Sequence, residues 1–193
     1  MTRIAVFCGS SAGNRPTYRQ AAADLARALA RRGFGLVFGG AQVGLMGVLA
    51  DAMLEQRAEV IGVIPQALLD REIAHVGVAD LRVVGSMHER KALMVELSDG
   101  FIALPGGYGT LEEFCEVLTW AQLGLHGKPC GLLDVDAYFD PLLALFDEAV
   151  AAGFLRSENR ALVLRANDPE ALLDQFASYK PVVVPKWITP AQA

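Results

Sequence analysis

Histidine and cysteine are scarce in this 193-residue chain, three of each, and their scarcity excludes several chemistries. Cys8, Cys115 and Cys130 are odd in number, far apart, and match no metal-ligand spacing. They lie in apolar strand-like or helix-like runs, so buried free thiols in a reducing cytoplasm are expected. His75 and His126 fall in loop-like stretches with no ligand partner, and His88 reads as a surface or cap residue. Neither a metal nor a cofactor is expected. Long apolar runs are missing too. Mean hydropathy is +0.33, yet no run of about 18 uncharged apolar residues occurs. The chain opens directly on a strand-like Arg3-Ile4-Ala5-Val6-Phe7-Cys8 without the pattern of a secretory leader, so no membrane partner is expected. Positive charge is also in deficit. Lys and Arg number 17 against 22 Asp and Glu, a net charge of −5, with a pI near 5.2. A broad nucleic-acid surface is therefore not expected, and any anionic ligand must be held by local groups.

What is present is enough to fold. Hydrophobic residues make up 53% and charged residues 20%, a composition that buries a core. The length suits one domain over residues 1–180, and the prolines at 181, 185 and 190 suggest an extended tail over 181–193. Short apolar runs at 4–8, 35–38, 59–64, 81–84, 101–104, 130–133 and 161–164 read as strands. Helical spacing fills 18–32, 45–56, 87–98, 111–123 and 138–152, and Asp168-Pro169-Glu170 opens a helix to about Ser178. The stretch 65–80 reads as a short helix and a loop. Strands that are apolar throughout, separated by amphipathic helices, predict an α/β fold. It is a doubly wound, Rossmann-like, mostly parallel sheet with helices on both faces.

Three connections are rich in glycine or small residues: Cys8-Gly9-Ser10-Ser11, Gly39-Gly40-Ala41-Gln42-Val43-Gly44-Leu45-Met46-Gly47, and Pro105-Gly106-Gly107-Tyr108-Gly109-Thr110. In a parallel sheet they share the carboxyl edge, where backbone N–H groups and helix N-termini make an anion site. In the third, Gly106, Gly107 and Gly109 remove side chains where a phosphate approaches, and the Thr110 hydroxyl adds a donor. The spacing Gly-Gly-x-Gly is neither a Walker loop nor a dinucleotide fingerprint. A mononucleotide or sugar phosphate fits it better than a nicotinamide cofactor. Blander readings stand beside this one. The turn is otherwise only a tight turn, and Thr110-Leu111-Glu112-Glu113 also matches a capping box, in which Glu113 merely bonds back to the Thr110 N–H. Glu112 and Glu116 are competing carboxylates on the same helix. Arg90 and Lys91 lie at a helix start, where cations oppose the macrodipole; they mark either an anionic partner or a solvated face.

Arg90-Lys91 followed by Pro105-Gly106-Gly107-Tyr108-Gly109-Thr110-Leu111-Glu112-Glu113 closely resembles the LOG ("Lonely Guy") family. Its pattern is Pro-Gly-Gly-x-Gly-Thr-x-x-Glu with an upstream Arg-Lys, and every fixed position is matched. The Cys-Gly-Ser-Ser turn and the Gly-Gly-x-x-x-Gly-Leu-Met-Gly segment look like family features too, so the resemblance runs from about residue 3 to residue 178. The family consists of cytokinin riboside 5′-monophosphate phosphoribohydrolases. The resemblance therefore implies hydrolysis of the N-glycosidic bond of AMP or N6-substituted AMP to free base and ribose 5-phosphate. It implies Arg90 and Glu113 as the catalytic pair and Gly107, Tyr108, Gly109 and Thr110 as the phosphate cradle. Lys91 and Gly106 are grouped with the substrate-binding residues. Met46 and Met87 are candidates for an adenine pocket, with core packing as the other reading, and Ser10 and Gly40 for the ribose or phosphate side. Family members usually assemble as homodimers. An apolar face of Phe114, Val117, Leu118, Ala121 and Leu125 is compatible with that, and equally with packing on the sheet. Two other functions share the fold: a non-catalytic nucleotide or cofactor carrier, as in molybdenum-cofactor carrier relatives, and a general AMP or GMP nucleosidase.

Overall fold

The computed structural model describes residues 2–71 and 74–181. The tail expected over 181–193 lies outside these from residue 182 onward. Seven strands form one sheet, β1 (Arg3–Phe7), β2 (Gly35–Phe38), β3 (Val60–Pro65), β4 (Asp80–Val84), β5 (Gly100–Ala103), β6 (Cys130–Leu133) and β7 (Val163–Ala166). Their order is β4-β3-β2-β1-β5-β6-β7, and every pairing is parallel. β1, β2, β3, β5 and β6 are buried along their whole length or nearly so. Such unbroken apolar runs require cover on both faces.

The helices supply that cover. α1 (Pro16–Arg31), α2 (Gly44–Glu55) and α8 (Pro169–Ser178) place Leu25, Leu29, Leu49, Met53 and Leu172 in one core layer. On the other face, α4 (Met87–Leu97), α5 (Tyr108–Gln122) and α6 (Asp140–Ala151) contribute Met94, Phe114, Val117 and Leu143 to a second layer with Phe7 and Phe101. Phe114, Val117 and Ala121 are thus buried, while Leu118 and Leu125 of the same apolar set are only half-buried. The remaining helices, α3 (Gln66–Leu69) and α7 (Ser157–Arg160), are single turns. α7 was not expected, and Ala161 forms its C-cap, which moves the last strand from the expected 161–164 to Val163–Ala166.

The chain winds outward from β1 through β4 and then crosses back to β5 on the other side of β1. The switch point between β1 and β5 is where open α/β sheets leave a crevice at the strands' carboxyl ends. Three backbone bonds lace the edges of that crevice. Leu104 N donates to the Phe7 carbonyl (2.9 Å), Gly9 N to the Pro105 carbonyl (3.1 Å), and Leu45 N to the Gly9 carbonyl (3.0 Å). All three glycine-bearing turns therefore meet at one place.

Candidate active site

A cleft of about 430 Å³ opens there, inside the roughly 300–1,000 Å³ span usual for small-molecule sites. Its wall on the β5 side is the first turn of α5. Gly107 is the N-cap, extended at φ −94° and ψ −155°, and no side chain caps the helix. The N–H groups of the first turn are thus left to the cleft, together with the positive end of the helix dipole. A Cβ built at Gly107 or Gly109 meets nothing within 4 Å, so both glycines keep space open. Tyr108, between them, is 94% exposed and stands at the mouth. Thr110, third in the helix, is buried beneath the turn.

Helix α4 lies beside α5 and brings the guanidinium. Arg90 and Glu113 are each less than a tenth exposed. Arg90 Nη1 donates to Glu113 Oε1 at 2.8 Å, and its Nε donates to the Val63 carbonyl within β3 (3.1 Å). Its remaining nitrogen, Nη2, faces Gly39, where an added Cβ would stand only 2.1 Å away. Helix α4 can begin with two cations because its N-terminus is already neutralised. Ser86 Oγ accepts from Glu89 N (3.1 Å), and the Glu89 carboxylate accepts from Gly85 N (2.7 Å), so Glu89 offsets the unfavourable dipole. Burial pushes the Glu113 carboxyl above its ordinary value of 4.5; Arg90 opposes this, and the nearby Glu112 charge adds to it. The capping-box reading of Thr110 and Glu113 does not hold, because the N-cap is Gly107 and the Glu113 carboxylate is turned to Arg90.

Nine of the candidate residues share the cleft wall: Ser10, Met46, Met87, Arg90, Gly107, Tyr108, Gly109, Thr110 and Glu113. Three stand elsewhere. Gly40 has φ +75°, and a Cβ on it would press on Ile64 and Leu81; it shapes the turn while its neighbour Gly39 lines the cleft. Gly106 packs under the turn, with Thr110 Oγ1 and Gly9 N in the way of any side chain. Lys91 points along the outside of α5, bonding Glu112 and, at 3.1 Å, Glu116.

This geometry has known counterparts. Residues 46–176 match the family model described as "Possible lysine decarboxylase". A rice protein (Oryza sativa subsp. japonica), "Probable cytokinin riboside 5'-monophosphate phosphoribohydrolase LOGL1", is 51% identical over 177 residues, 92% of this chain and 79% of its own length. The Arabidopsis thaliana protein "Cytokinin riboside 5'-monophosphate phosphoribohydrolase LOG4" is 49% identical over 179 residues, 93% of this chain and 83% of its own. The chain belongs to the LOG family. Among solved structures, the molybdenum cofactor binding protein from Rippkaea orientalis superposes with a TM-score of 0.69 at 25% identity, covering 92% of this chain and 96% of that one. The Chlamydomonas reinhardtii molybdenum cofactor carrier protein has a TM-score of 0.69 at 23% identity, over 92% of this chain and 99% of its own. The Rossmann-like architecture is therefore common to LOG proteins and to carriers.

The cleft of this LOG-family chain also uses residues that are not individual candidates in the sequence. Cys8, Gly39, Ala41, Val43 and Leu68 line it. The first four fall within the two connections the sequence places at this edge. Leu68 comes from α3, a single turn with no periodic pattern, and no sequence signal pointed to it. Burial pushes the Cys8 thiol well up, the Glu113 charge adds to this, and Arg90 opposes it, so Cys8 is a neutral floor of the cleft rather than a nucleophile.

Proposed function

We propose that this LOG-family chain hydrolyses the N-glycosidic bond of AMP or N6-substituted AMP, releasing ribose 5-phosphate and the free base, which for an N6-modified substrate is a cytokinin. The observation that carries the reading is the buried 2.8 Å pair of Arg90 and Glu113 facing a cleft whose adjoining wall is an uncapped helix N-terminus. In this reading the 5′-phosphate rests on the first-turn amides of α5. The ribose then lies over Glu113, one helical turn on, and the base extends toward Met46, Leu68 and Met87.

Cleavage of the ribosyl C–N bond leaves positive charge on the sugar, and an ionised Glu113 stabilises that oxocarbenium-like state in a water-poor site. The same carboxylate orients or deprotonates the water that attacks C1′. Arg90 stays protonated at neutral pH. It holds Glu113 in line and offers Nη2 to charge growing on the departing base. No lysine is among the described residues lining the cleft, so these do not fit the Schiff-base amine that pyridoxal-dependent decarboxylation requires.

Incubation with AMP and chromatographic detection of adenine and ribose 5-phosphate tests the reading. Glu113→Gln and Arg90→Ala are each expected to lower the rate about 10²- to 10³-fold with the fold retained; near-wild-type turnover in either would remove that residue from the chemistry. Because Glu113 acts ionised and burial raises its carboxyl, the rate should climb with pH through a value above 4.5. Thr110→Ala should weaken AMP binding, and equal affinity for AMP and adenosine would unseat the phosphate cradle. The fold shared with cofactor carriers favours a second reading, in which nucleotides bind without release of base. The same assay with GMP alongside AMP separates both readings from a general nucleosidase.

The assembly is proposed to be a homodimer. Its support is the apolar surface of α6 and the loop after it, where Leu145 is 62% and Phe154 90% exposed. Light scattering at two protein concentrations reads it directly. A reducing cytoplasm suits the buried, unpaired Cys8 and Cys130. None of the helices is long and apolar enough to cross a membrane, among the described residues.

A further inference from the structure

The two consecutive cations of α4 part company. Arg90 turns into the cleft, while Lys91 lies against the outside of α5 and bonds both Glu112 and Glu116. Its side chain is only 9% exposed, against 55% for Glu112 and 24% for Glu116. Glu112 and Glu116 are four residues apart on one helix, a spacing at which like charges repel. Glu112 is also the immediate neighbour of Glu113 and lines the cleft mouth. The first three turns of α5 thus carry three carboxylates, and α4 supplies two cations, one aimed at Glu113 and one at the other two.

We propose that Lys91 is a positioning residue for hydrolysis: by binding Glu112 and Glu116 together on the outer side of α5, it draws the Glu112 charge away from Glu113 and leaves Arg90 free to hold Glu113. This rests on the hydrolase reading given above. Four charged or titratable groups act on Glu113 among the described residues, Arg90, Lys91, Glu112 and Cys8, and Glu116 joins them through Lys91. Arg90 and Lys91 come from α4, Glu112 and Glu116 from its own helix, and the Cys8 thiol from the end of β1; β3 faces the cluster with the Val63 carbonyl, which Arg90 occupies. Burial works against a charged Glu113, and so does Glu112, whereas Arg90 and Lys91 favour it. Lys91 itself, although its own burial disfavours charge, is held ionised by its bonds to Glu112 and Glu116. Deleting its charge removes one favourable contribution and releases the unfavourable one.

The experiment follows kcat/KM for AMP against pH in the wild-type chain, Lys91→Met, Lys91→Arg, Glu112→Gln and the Lys91→Met/Glu112→Gln double variant. Carbon-13 NMR titration of the Glu113 carboxyl runs beside it. Lys91→Met should move the acid limb and the carboxyl titration up by about one pH unit, a roughly ten-fold lower rate on the acid side with the alkaline plateau kept. Lys91→Arg should hold both in place, Glu112→Gln should move both down, and the double variant should return close to wild type. An unmoved limb and titration in a folded Lys91→Met chain overturns the proposal. So does a raised KM for AMP without a pH shift, which makes Lys91 a substrate contact. If Lys91→Met fails to fold, Glu112→Gln decides: no downward shift overturns the proposal. A wild-type chain that releases no base from any nucleotide refutes the hydrolase reading instead, and the carboxyl titration still reports whether Lys91 governs Glu113.

Discussion

Around the cleft, one added methyl group has three different consequences at three glycines. At Gly39 it would stand 2.1 Å from Arg90 Nη2 and 3.0 Å from Met46 Sδ. The arginine, tethered through Nε and Nη1, has to leave its place. Gly39→Ala should therefore keep the fold and cost about 10²-fold or more in turnover, the scale set by small displacements of reacting groups. At Gly106 the methyl meets Thr110 Oγ1 and also the Gly9 backbone nitrogen, 2.8 Å away. Backbone yields poorly, so Gly106→Ala should lower stability by about 1–3 kcal/mol in urea melts. At Gly107 nothing lies within 4 Å. Gly107→Ala should melt like wild type, yet raise KM for AMP and leave adenosine binding unchanged. Initial rates together with melting curves distinguish the three.

At the scale of elements, the loop after α3 is pinned by one ring. His75 N donates to the Gly40 carbonyl (2.9 Å), its Nε2 meets Asp51 Oδ1 (3.0 Å), and Gly77 N donates to its Nδ1 (3.2 Å). His75→Ala removes the ring's bonds to Asp51 and Gly77, both open to water, and should cost about 0.5–1.5 kcal/mol while loosening the loop, seen as faster hydrogen exchange over 74–79. Nothing in the sequence marked this ring as more than a loop histidine. The sheet, by contrast, was legible, because doubly buried strands of the parallel class cannot disguise their apolar runs. The start of α5 was misplaced at Leu111 because glycine and its neighbours read as a turn. In the fold, Tyr108, Gly109 and Thr110 already make its first turn, and this is what brings Glu113 a full turn beyond the N-terminus. Arg90 and Glu113 were readable as a matched pair from the family motif. The destination of Lys91 was not, since periodicity says which face of a helix a residue occupies and never which neighbouring helix it meets.

For the molecule as a whole, acid should act through His126. Burial is the main cause that holds this imidazole down, to about 4, with Lys128 adding to it and the Val117 carbonyl opposing; Nε2 donates to that carbonyl and Nδ1 accepts from Lys128 N. The unfolded chain takes up the proton near 6.5 while the folded one does not, so stability falls as pH drops from about 6.5 toward 4. Glu113 carries the opposite sign: raised by burial, it favours the fold at low pH and loses that contribution as pH rises through its folded value. His126→Gln should flatten the decline of urea midpoint with acid in that window, and an unchanged slope would place acid sensitivity elsewhere. A thiol probe should label Cys8 and Cys130 of the native chain slowly, because burial holds the Cys130 thiol up to about 12 and also pushes Cys8 well up, and the half-buried Cys115 should react first. Finally, in the proposed binding mode the anchor is built mostly from main-chain amides, and Thr110 is the one side chain of it that mutation can delete. Exchanges at Met46, Leu68 or Met87 would retune which base is admitted, while the sugar-phosphate handle stays inherited from the curl of the chain itself; a designer seeking a new nucleobase preference could vary those three positions and leave the grip alone.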